Sequence, residues 1–304
     1  MANSNDWRPL YPFCTRHIEF DGHRMHYIDE GQDAPGHPLL FVHGNPTWSF
    51  YWRNFVRELR SGHRCIAIDH LGCGFSDKPQ NYDYCLRTHA DNLKSVIREL
   101  DLNNITLLAH DWGGAIGMLA ATEMPERFSR FVLFNTGAFP PPRVPWRIAS
   151  CRIPFLGTLG MRGLNSFAAA AQVMASHKPG GLDPAVLAGL ILPYDSWANR
   201  VAIDAFVNDI PLTKKHKTYA VLEKLENDLS QFANHPFQFI WGMKDWCFTP
   251  ACLDQFLTHL PNADVDRLAD AGHWVIEDDP ERCVKSVREF LGKHSLPTAV
   301  KSAT

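Results

Sequence analysis

The stretch Ala109-His110-Asp111-Trp112-Gly113-Gly114 decides the fold of this chain. It follows an apolar run at residues 105–109, which is typical of a strand buried on both faces, and it opens a helical stretch. A tight strand-to-helix turn of this kind exposes its central side chain at the edge of a sheet. Here that side chain is the carboxylate of Asp111, which suits displacement at a saturated carbon with formation of an alkyl ester. The alternative is that Asp111 only caps the following helix, because aspartate is favoured at N-cap positions.

Short apolar runs, unbroken by charge, recur around this turn. They lie at residues 39–42, 65–68, 105–109 and 131–134. Residues 91–100, between two of these runs, place their apolar side chains on one helix face. The alternation of strand-like and helix-like segments predicts an α/β fold with a mostly parallel central sheet. Residues 16–30 instead alternate around Asp21-Gly22, which predicts an antiparallel hairpin at one edge of that sheet.

A long helical insertion interrupts this pattern. Phe139-Pro140-Pro141-Pro142 breaks the chain, and Ala- and Leu-rich helical runs without a clear strand follow it. The sheet pattern then resumes with two strands and a final helix, at residues 237–242, 263–268 and 281–291. We therefore predict an α/β main domain of residues 1–137 and 233–304. A helical cap domain of residues 138–232 is inserted after the sixth strand.

Two further motifs follow predicted strands and supply groups that an aspartate nucleophile needs. His43-Gly44-Asn45 comes after the first long buried strand, where the backbone N–H of Asn45 can pair with that of Trp112 to form an oxyanion site. Asp270-Ala271-Gly272-His273 comes after the last strand and places a histidine base late in the chain. The order of the three motifs favours chemistry at Asp111 over a purely structural role.

The composition excludes several classes of protein. The 304 residues are 45% apolar and 21% charged, and 30 basic against 33 acidic residues give a net charge of −3. This balance gives no electrostatic footprint for nucleic acid or for anionic lipid, and no apolar run is long enough to span a membrane. No cysteine pair or cysteine–histidine pair has zinc-ligand spacing, so we expect eight free thiols in a cytoplasmic protein without a signal peptide. Residues 295–304 are expected to be a disordered tail.

Together these motifs resemble the haloalkane dehalogenase family of the α/β-hydrolase superfamily. The matching stretches are His43-Gly44-Asn45-Pro46-Thr47-Trp48-Ser49, residues 69–79, His110-Asp111-Trp112-Gly113-Gly114 and Asp270-Ala271-Gly272-His273. The resemblance implies that Asp111 attacks a halogen-bearing carbon and that His273 activates a water to hydrolyse the alkyl ester. It implies no cofactor and no metal, and a small apolar substrate.

The resemblance also implies an acid that orients His273. Family members carry it in one of two places. The first follows the strand at residues 131–134, where this chain has Asn135-Thr136, and neither is an acid. The second follows the strand at residues 237–242, so we assign the acid to Asp245. The alternative is that Asp245 is a solvated turn residue beside Lys244.

The leaving halide needs hydrogen-bond donors. By resemblance these are Asn45 Nδ2 and Trp112 Nε1, and an indole N–H suits an anion because it can only donate. Trp48 and Trp274 are expected to pack in the core. The resemblance therefore implies that the chain binds a halide ion. A homo-oligomer stays open, since nothing in the sequence decides it.

Other functions stay open at this point. Stretches in and near the cap, such as residues 193–200, also resemble β-lactone decarboxylases that form cis-alkenes, where Tyr194, Asn199 or Arg200 could hold a carboxylate. An epoxide hydrolase also uses an aspartate nucleophile; Asn45 argues against it, although the cap holds Tyr194 and Tyr219. A binding protein without enzymatic activity is the alternative from another class.

Overall fold

Eight strands form one central sheet in the order β1-β2-β4-β3-β5-β6-β7-β8. We describe it from a computed structural model, in which residues 5–297 are described. The strands are β1 (Arg16–Phe20), β2 (His23–Glu30), β3 (Gly36–Val42), β4 (His63–Ile68), β5 (Ile105–Asp111), β6 (Phe128–Thr136), β7 (Phe237–Gly242) and β8 (Asp264–Leu268). The β1–β2 and β2–β4 pairs are antiparallel, and every other pair is parallel. The predicted fold class and the predicted edge hairpin are confirmed.

Helices cover both faces of this sheet. The α-helices are α1 (Arg53–Leu59), α2 (Leu86–Glu99), α3 (Trp112–Glu123), α4 (Trp146–Ser150), α5 (Leu156–Thr158), α6 (Ser166–Met174), α7 (Pro184–Ile191), α8 (Val201–Asp209), α9 (Lys217–Asp228), α10 (Pro250–His259), α11 (Val275–Asp278) and α12 (Pro280–Lys293). One core lies under α2 and α3, with Leu93, Ile97 and Ile116 fully buried. The other lies under α1 and α12 around Phe55 and Val287. The sheet is therefore covered on both sides, as its apolar strands require.

Helix α2 begins earlier than its apolar periodicity predicts. It starts at Leu86 rather than at residue 91. The carboxylate of Asp209, at the end of α8, accepts a hydrogen bond from the Leu86 backbone N–H at 2.7 Å. Because this cap comes from a distant segment, the local sequence of α2 does not reveal it.

Helices α4 to α9 all lie between β6 and β7 in the chain, and no strand interrupts this part of the described chain. We call residues 138–232 the cap segment, and its division from the rest as a separate domain remains our proposal. All eight cysteines are free thiols, as predicted. None of the helices among residues 5–297 has the length and hydropathy that a bilayer crossing requires. Of the predicted tail, residues 298–304 lie outside the described residues.

Candidate active site

Asp111 stands at the junction of β5 and α3. Its backbone has φ of +53° and ψ of −131°, an unusual conformation for a residue with a side chain. Strained backbone of this kind persists where the surrounding structure holds it, most often at functional sites. A Cβ at Gly113 would collide with the Val42 carbonyl, and one at Gly44 would collide with the Asp111 carboxylate. The two glycines therefore let the loop after β3 approach this turn closely.

The carboxylate of Asp111 is held by two backbone donors. The Asn45 N–H donates to Asp111 Oδ1 at 2.6 Å, and the Trp112 N–H also donates to this carboxylate. The structure thus brings together the two amides that the sequence placed in an oxyanion site. Burial raises the pKa of Asp111, and the neighbouring His273 and the two N–H groups oppose that rise. The carboxylate also lines a cavity and is therefore accessible to a small substrate.

The imidazole of His273 lies between Asp245, the predicted orienting acid, and Asp111, the predicted nucleophile. Its Nδ1 lies 2.9 Å from Asp245 Oδ2, and its Nε2 lies 3.7 Å from Asp111 Oδ2. Burial alone would lower the pKa of His273, but the carboxylates of Asp245 and Asp111 more than offset this, and the pKa is raised. Asp245 Oδ1 accepts the backbone N–H groups of Cys247 at 2.7 Å and Phe248 at 3.1 Å. Asp245 is therefore a buried, fixed carboxylate rather than a solvated turn residue.

Asn135 is a site residue whose contact with Asp245 sequence reasoning missed. It stands where the first of the two possible acids would be, and its Nδ2 donates to Asp245 Oδ2 at 3.0 Å and to the Gly242 carbonyl at 3.1 Å. Its Oδ1 accepts the Gly242 N–H at 2.8 Å. Asn135 therefore ties the end of β6 to the end of β7 and orients the acid. The available signal was the position of Asn135 at the end of β6. From the sequence, that position indicated only that no acid stands there.

The two predicted anion donors both line the cavity. The Trp112 indole N–H has no hydrogen-bond partner among residues 5–297. Asn45 Nδ2 donates to the Ile203 carbonyl at 3.2 Å, which leaves its second N–H available. Both residues can therefore offer a side-chain donor to an anion in the cavity. Their role in binding a halide or a carboxylate remains a proposal.

The other aromatic and polar candidates lie away from the cavity. Trp48 donates its indole N–H to the Gly189 carbonyl at 2.9 Å, and Trp274 is buried, as expected for packing residues. Tyr194 is fully buried and donates to the Thr47 carbonyl at 3.0 Å. Neither Tyr194 nor Tyr219 lines the cavity.

The suggestion that Tyr194, Asn199 or Arg200 holds a substrate carboxylate is therefore wrong. Asn199 Nδ2 donates to Asp195 at 2.7 Å, and the Arg200 guanidinium donates to the Tyr194 carbonyl at 2.8 Å. The donors of Asn199 and Arg200 bind other residues of the cap segment, and the Tyr194 hydroxyl binds the loop after β3. Sequence could not exclude them, because their partners are backbone carbonyls and a neighbouring side chain that only the fold brings within reach.

The cavity has a volume of about 370 Å³ and is mostly apolar. Asp111, His273, Asn45 and Trp112 line it, and so do the polar side chains of Arg143, Arg147 and Ser166. The cap contributes apolar walls, and its side chains there include Phe167, Ala170, Ala171, Met174, Val207 and Leu222. An apolar cavity with a few converging polar groups is typical of a small-molecule site. Among residues 5–297, no cluster of three histidine, cysteine or acidic side chains could hold a metal ion.

The sequence profile of the alpha/beta hydrolase fold family matches residues 37–280. The chain belongs to the α/β-hydrolase family. This α/β-hydrolase is 39% identical to the cis-3-alkyl-4-alkyloxetan-2-one decarboxylase of Shewanella oneidensis, over 97% of this chain and 93% of that protein. It is 30% identical to a haloalkane dehalogenase of Mycobacterium marinum, over 88% of this chain and 90% of that one.

A solved structure with the same fold is a mutant of the haloalkane dehalogenase DatA from Agrobacterium tumefaciens C58. It aligns with a TM-score of 0.83 at 25% identity, covering 92% of this α/β-hydrolase and 96% of that chain. The resemblance to haloalkane dehalogenases and to β-lactone decarboxylases is confirmed. The chain is an enzyme of the α/β-hydrolase type, and the alternative of a binding protein without activity finds no support in these relatives.

Proposed function

We propose that this α/β-hydrolase converts cis-3-alkyl-4-alkyloxetan-2-ones, which are β-lactones, into cis-alkenes and carbon dioxide. The observation that carries this choice is the 39% identity, over nearly the whole of both chains, to a protein named for that reaction. The dehalogenase relative is 30% identical. The sequence motifs alone did not separate the two reactions, and dehalogenation was the leading interpretation; the identity to the decarboxylase supports the lactone reaction at least as well. The mostly apolar cavity suits a substrate with two alkyl chains.

In the first step, a carboxylate oxygen of Asp111 attacks C4 of the lactone ring. The C4–oxygen bond breaks, its electron pair stays on the ring oxygen, and a carboxylate is released on C3. An alkyl ester then joins C4 to Asp111, with inverted configuration at C4. The Trp112 indole N–H and the free Asn45 amide N–H can stabilise the new carboxylate, because charge develops there during the step.

In the second step, the C3-bound carboxylate leaves as carbon dioxide. The electron pair of the broken bond forms the C3=C4 double bond, and the C4–oxygen bond of the ester breaks to regenerate the Asp111 carboxylate. If the two leaving groups depart from opposite faces, one inversion followed by one anti elimination turns a cis-lactone into a cis-alkene. The sequence of steps consumes no water.

His273 and Asp245 fit this scheme as an electrostatic pair. A raised pKa keeps more of His273 in its charged form, and its Nε2 lies 3.7 Å from Asp111 Oδ2. An imidazolium at that distance stabilises Asp111 as a departing carboxylate. Asp245 holds the ring in place through Nδ1 and balances its charge.

Hydrolytic dehalogenation of haloalkanes to an alcohol and a halide is the second candidate. The same Asp111 would form the alkyl ester, and neutral His273 would take a proton from the water that cleaves it. The two donors beside Asp111 would then hold a halide ion. The dehalogenase relatives support this candidate. An epoxide hydrolase has less support, because no cap tyrosine lines the cavity to protonate an epoxide oxygen.

A side-by-side rate comparison separates the two candidates. The purified enzyme is given a long-chain cis-β-lactone, and alkene is measured by gas chromatography, while halide release is measured with 1-bromobutane and 1,2-dibromoethane. We expect cis-alkene at enzymatic rates and slow halide release. Rapid halide release with an unreacted lactone would assign the enzyme to dehalogenation. The Asp111→Ala variant is the blank for both reactions.

A further inference from the structure

The cap segment carries an unusual concentration of exposed apolar side chains. We define the cap rim as residues 143–164, from the loop before α4 to the turn before α6. Phe155 is 90% exposed, and the other large apolar side chains that the rim exposes are Trp146, Ile153, Leu156, Leu159 and Leu164. Exposed apolar patches on proteins mark sites of contact with another protein or with a membrane.

These side chains are close to one another. Phe155, Leu156 and Leu159 fall within five consecutive residues at α5, and Leu159 and Trp197 both approach Gly163. Trp197 is itself 47% exposed, so the apolar surface extends beyond the rim. Phe155 has a positive φ of 62°, a conformation that costs energy in a residue with a side chain. The fold thus maintains a strained turn that presents a phenylalanine to solvent.

The charged side chains of the rim itself are all basic, and the carboxylate of Asp204 in α8 accepts a hydrogen bond from Thr158 of the rim at 3.2 Å. Residues 139–182 contain no aspartate or glutamate, and their cations are Arg143, Arg147, Arg152, Arg162 and Lys178. None of these five forms an ion pair with a carboxylate among residues 5–297. Arg162 lies over the Trp197 ring, with 4.8 Å between its guanidinium carbon and the ring centroid. Unpaired cations beside exposed aromatic and aliphatic side chains are typical of surfaces that bind anionic membranes.

The same segment contributes part of the wall of the active-site cavity. Arg143, Val144, Arg147, Ile148 and Cys151 all line it. A molecule that enters the cavity past these residues therefore passes the apolar, cationic rim. An apolar substrate dissolved in a bilayer would then lie next to this wall of the cavity. This consequence for the substrate rests on the proposed function, whereas the surface itself does not.

We propose that the cap rim is a peripheral membrane-binding surface for bilayers that contain anionic phospholipid. Phe155, Leu156 and Leu164 enter the interface between headgroups and acyl chains, while Arg143 and Arg147 lie at the level of the phosphates. The net charge of the whole chain is −3, so attraction to an anionic surface depends on this local concentration of cations. A second copy of this chain is the alternative occupant, and the test separates it from a membrane.

The test is flotation of the full chain, without substrate, with vesicles of phosphatidylcholine alone or mixed with phosphatidylglycerol. We expect binding to the mixed vesicles, much weaker binding to phosphatidylcholine, and loss of binding as salt rises. Arg143→Gln combined with Arg147→Gln should weaken binding about 25-fold, from about fivefold for each arginine. The matched control is Arg57→Gln with Arg98→Gln. It removes two exposed arginines of α1 and α2 that form no ion pair within residues 5–297, and it should leave binding unchanged.

A second variant tests the apolar part of the surface. Phe155→Asn with Leu156→Gln should weaken binding at least about tenfold, because both side chains lose their burial in lipid. Neither residue lines the cavity, and the thermal unfolding midpoint of each variant establishes that it is folded. Wild-type protein that ignores mixed vesicles, or rim variants that bind like the control, would overturn the proposal. So would a wild-type dimer that these rim variants dissociate, because the surface would then belong to a second copy.

Discussion

The proposed triad of Asp111, Asp245 and His273 and the cap segment meet at one cavity, which Asp111 and His273 line, but they are built in opposite ways. Asp111, Asp245 and His273 are buried, and backbone amides or neighbouring side chains hold each of them in one position. The cap wall offers small and apolar side chains, and its rim exposes aromatic residues and unpaired arginines. On our proposals, the sheet edge performs the reaction chemistry, and the cap selects the substrate and the location of the enzyme.

The largest effect is expected from removal of the nucleophile. Asp111→Ala should lower kcat by at least about 10,000-fold on any substrate, as removal of a triad nucleophile does elsewhere. No other carboxylate or hydroxyl occupies the turn, so no residue can replace it. Steady-state rates with the lactone and with a bromoalkane measure the loss, and thermal unfolding checks the fold. Wild-type rates from the folded variant would exclude Asp111 as the nucleophile.

Asp245→Asn tests the second acid. The amide cannot balance an imidazolium, and its Nδ2 favours the wrong histidine tautomer, so we expect a loss of about 10,000-fold by analogy with the serine triad. The variant keeps the shape of the side chain, which limits any effect on folding. Asn135→Ala is a useful companion, because it removes the bond to Asp245 Oδ2 but keeps the acid. A larger loss in the companion than in Asp245→Asn would contradict the assignment.

A change in the cap should act differently from a change at the sheet edge. Ala171→Phe adds a ring to the cavity wall, so it should lower kcat/KM for lactones with long chains about tenfold relative to those with short chains. The rate with the shortest substrate should change little, since the triad is untouched. Specificity constants over a series of chain lengths measure the effect. An equal loss for every chain length would mean that this wall does not select substrates.

The pH dependence should differ between the two candidate reactions. The pKa of His273 is raised above its ordinary value of 6.5. Haloalkane hydrolysis needs neutral His273, so its rate should fall as the pH falls through that pKa. Lactone decarboxylation uses the charged form beside ionised Asp111, so its rate should fall as the pH rises through it. Profiles of kcat against pH for one substrate of each class test this, and two profiles of the same shape would contradict the separate roles of His273.

The sequence predicted the sheet edge well, because its signals are local. Each buried strand is a short apolar run. Asp111, Asp245 and His273, the proposed triad, stand at or within a few residues of the ends of β5, β7 and β8. Three features depend on contacts between distant segments, which no local pattern predicts. Helix α2 starts at Leu86 because Asp209 caps it, Asn135 donates to Asp245, and Tyr194 donates to the Thr47 carbonyl. No run of residues encodes those contacts.

The cap was predictable only in part for a related reason. Its helical character follows from Ala- and Leu-rich runs, which are local. The wall of the cavity and the exposed rim depend on which face of each short helix meets its neighbours. The same motifs serve two reactions, so the choice of substrate needed the relatives as well as the residues.

The most direct test of the proposed reaction is turnover of a cis-β-lactone in water enriched in ¹⁸O. After many turnovers, the products are identified and the peptide containing Asp111 is weighed. Because neither step uses water, the account predicts cis-alkene, unlabelled carbon dioxide when it is collected before exchange, and an unlabelled Asp111. A labelled Asp111 or a labelled β-hydroxy acid would contradict it, because either product requires water to cleave the bond to the enzyme or to the lactone.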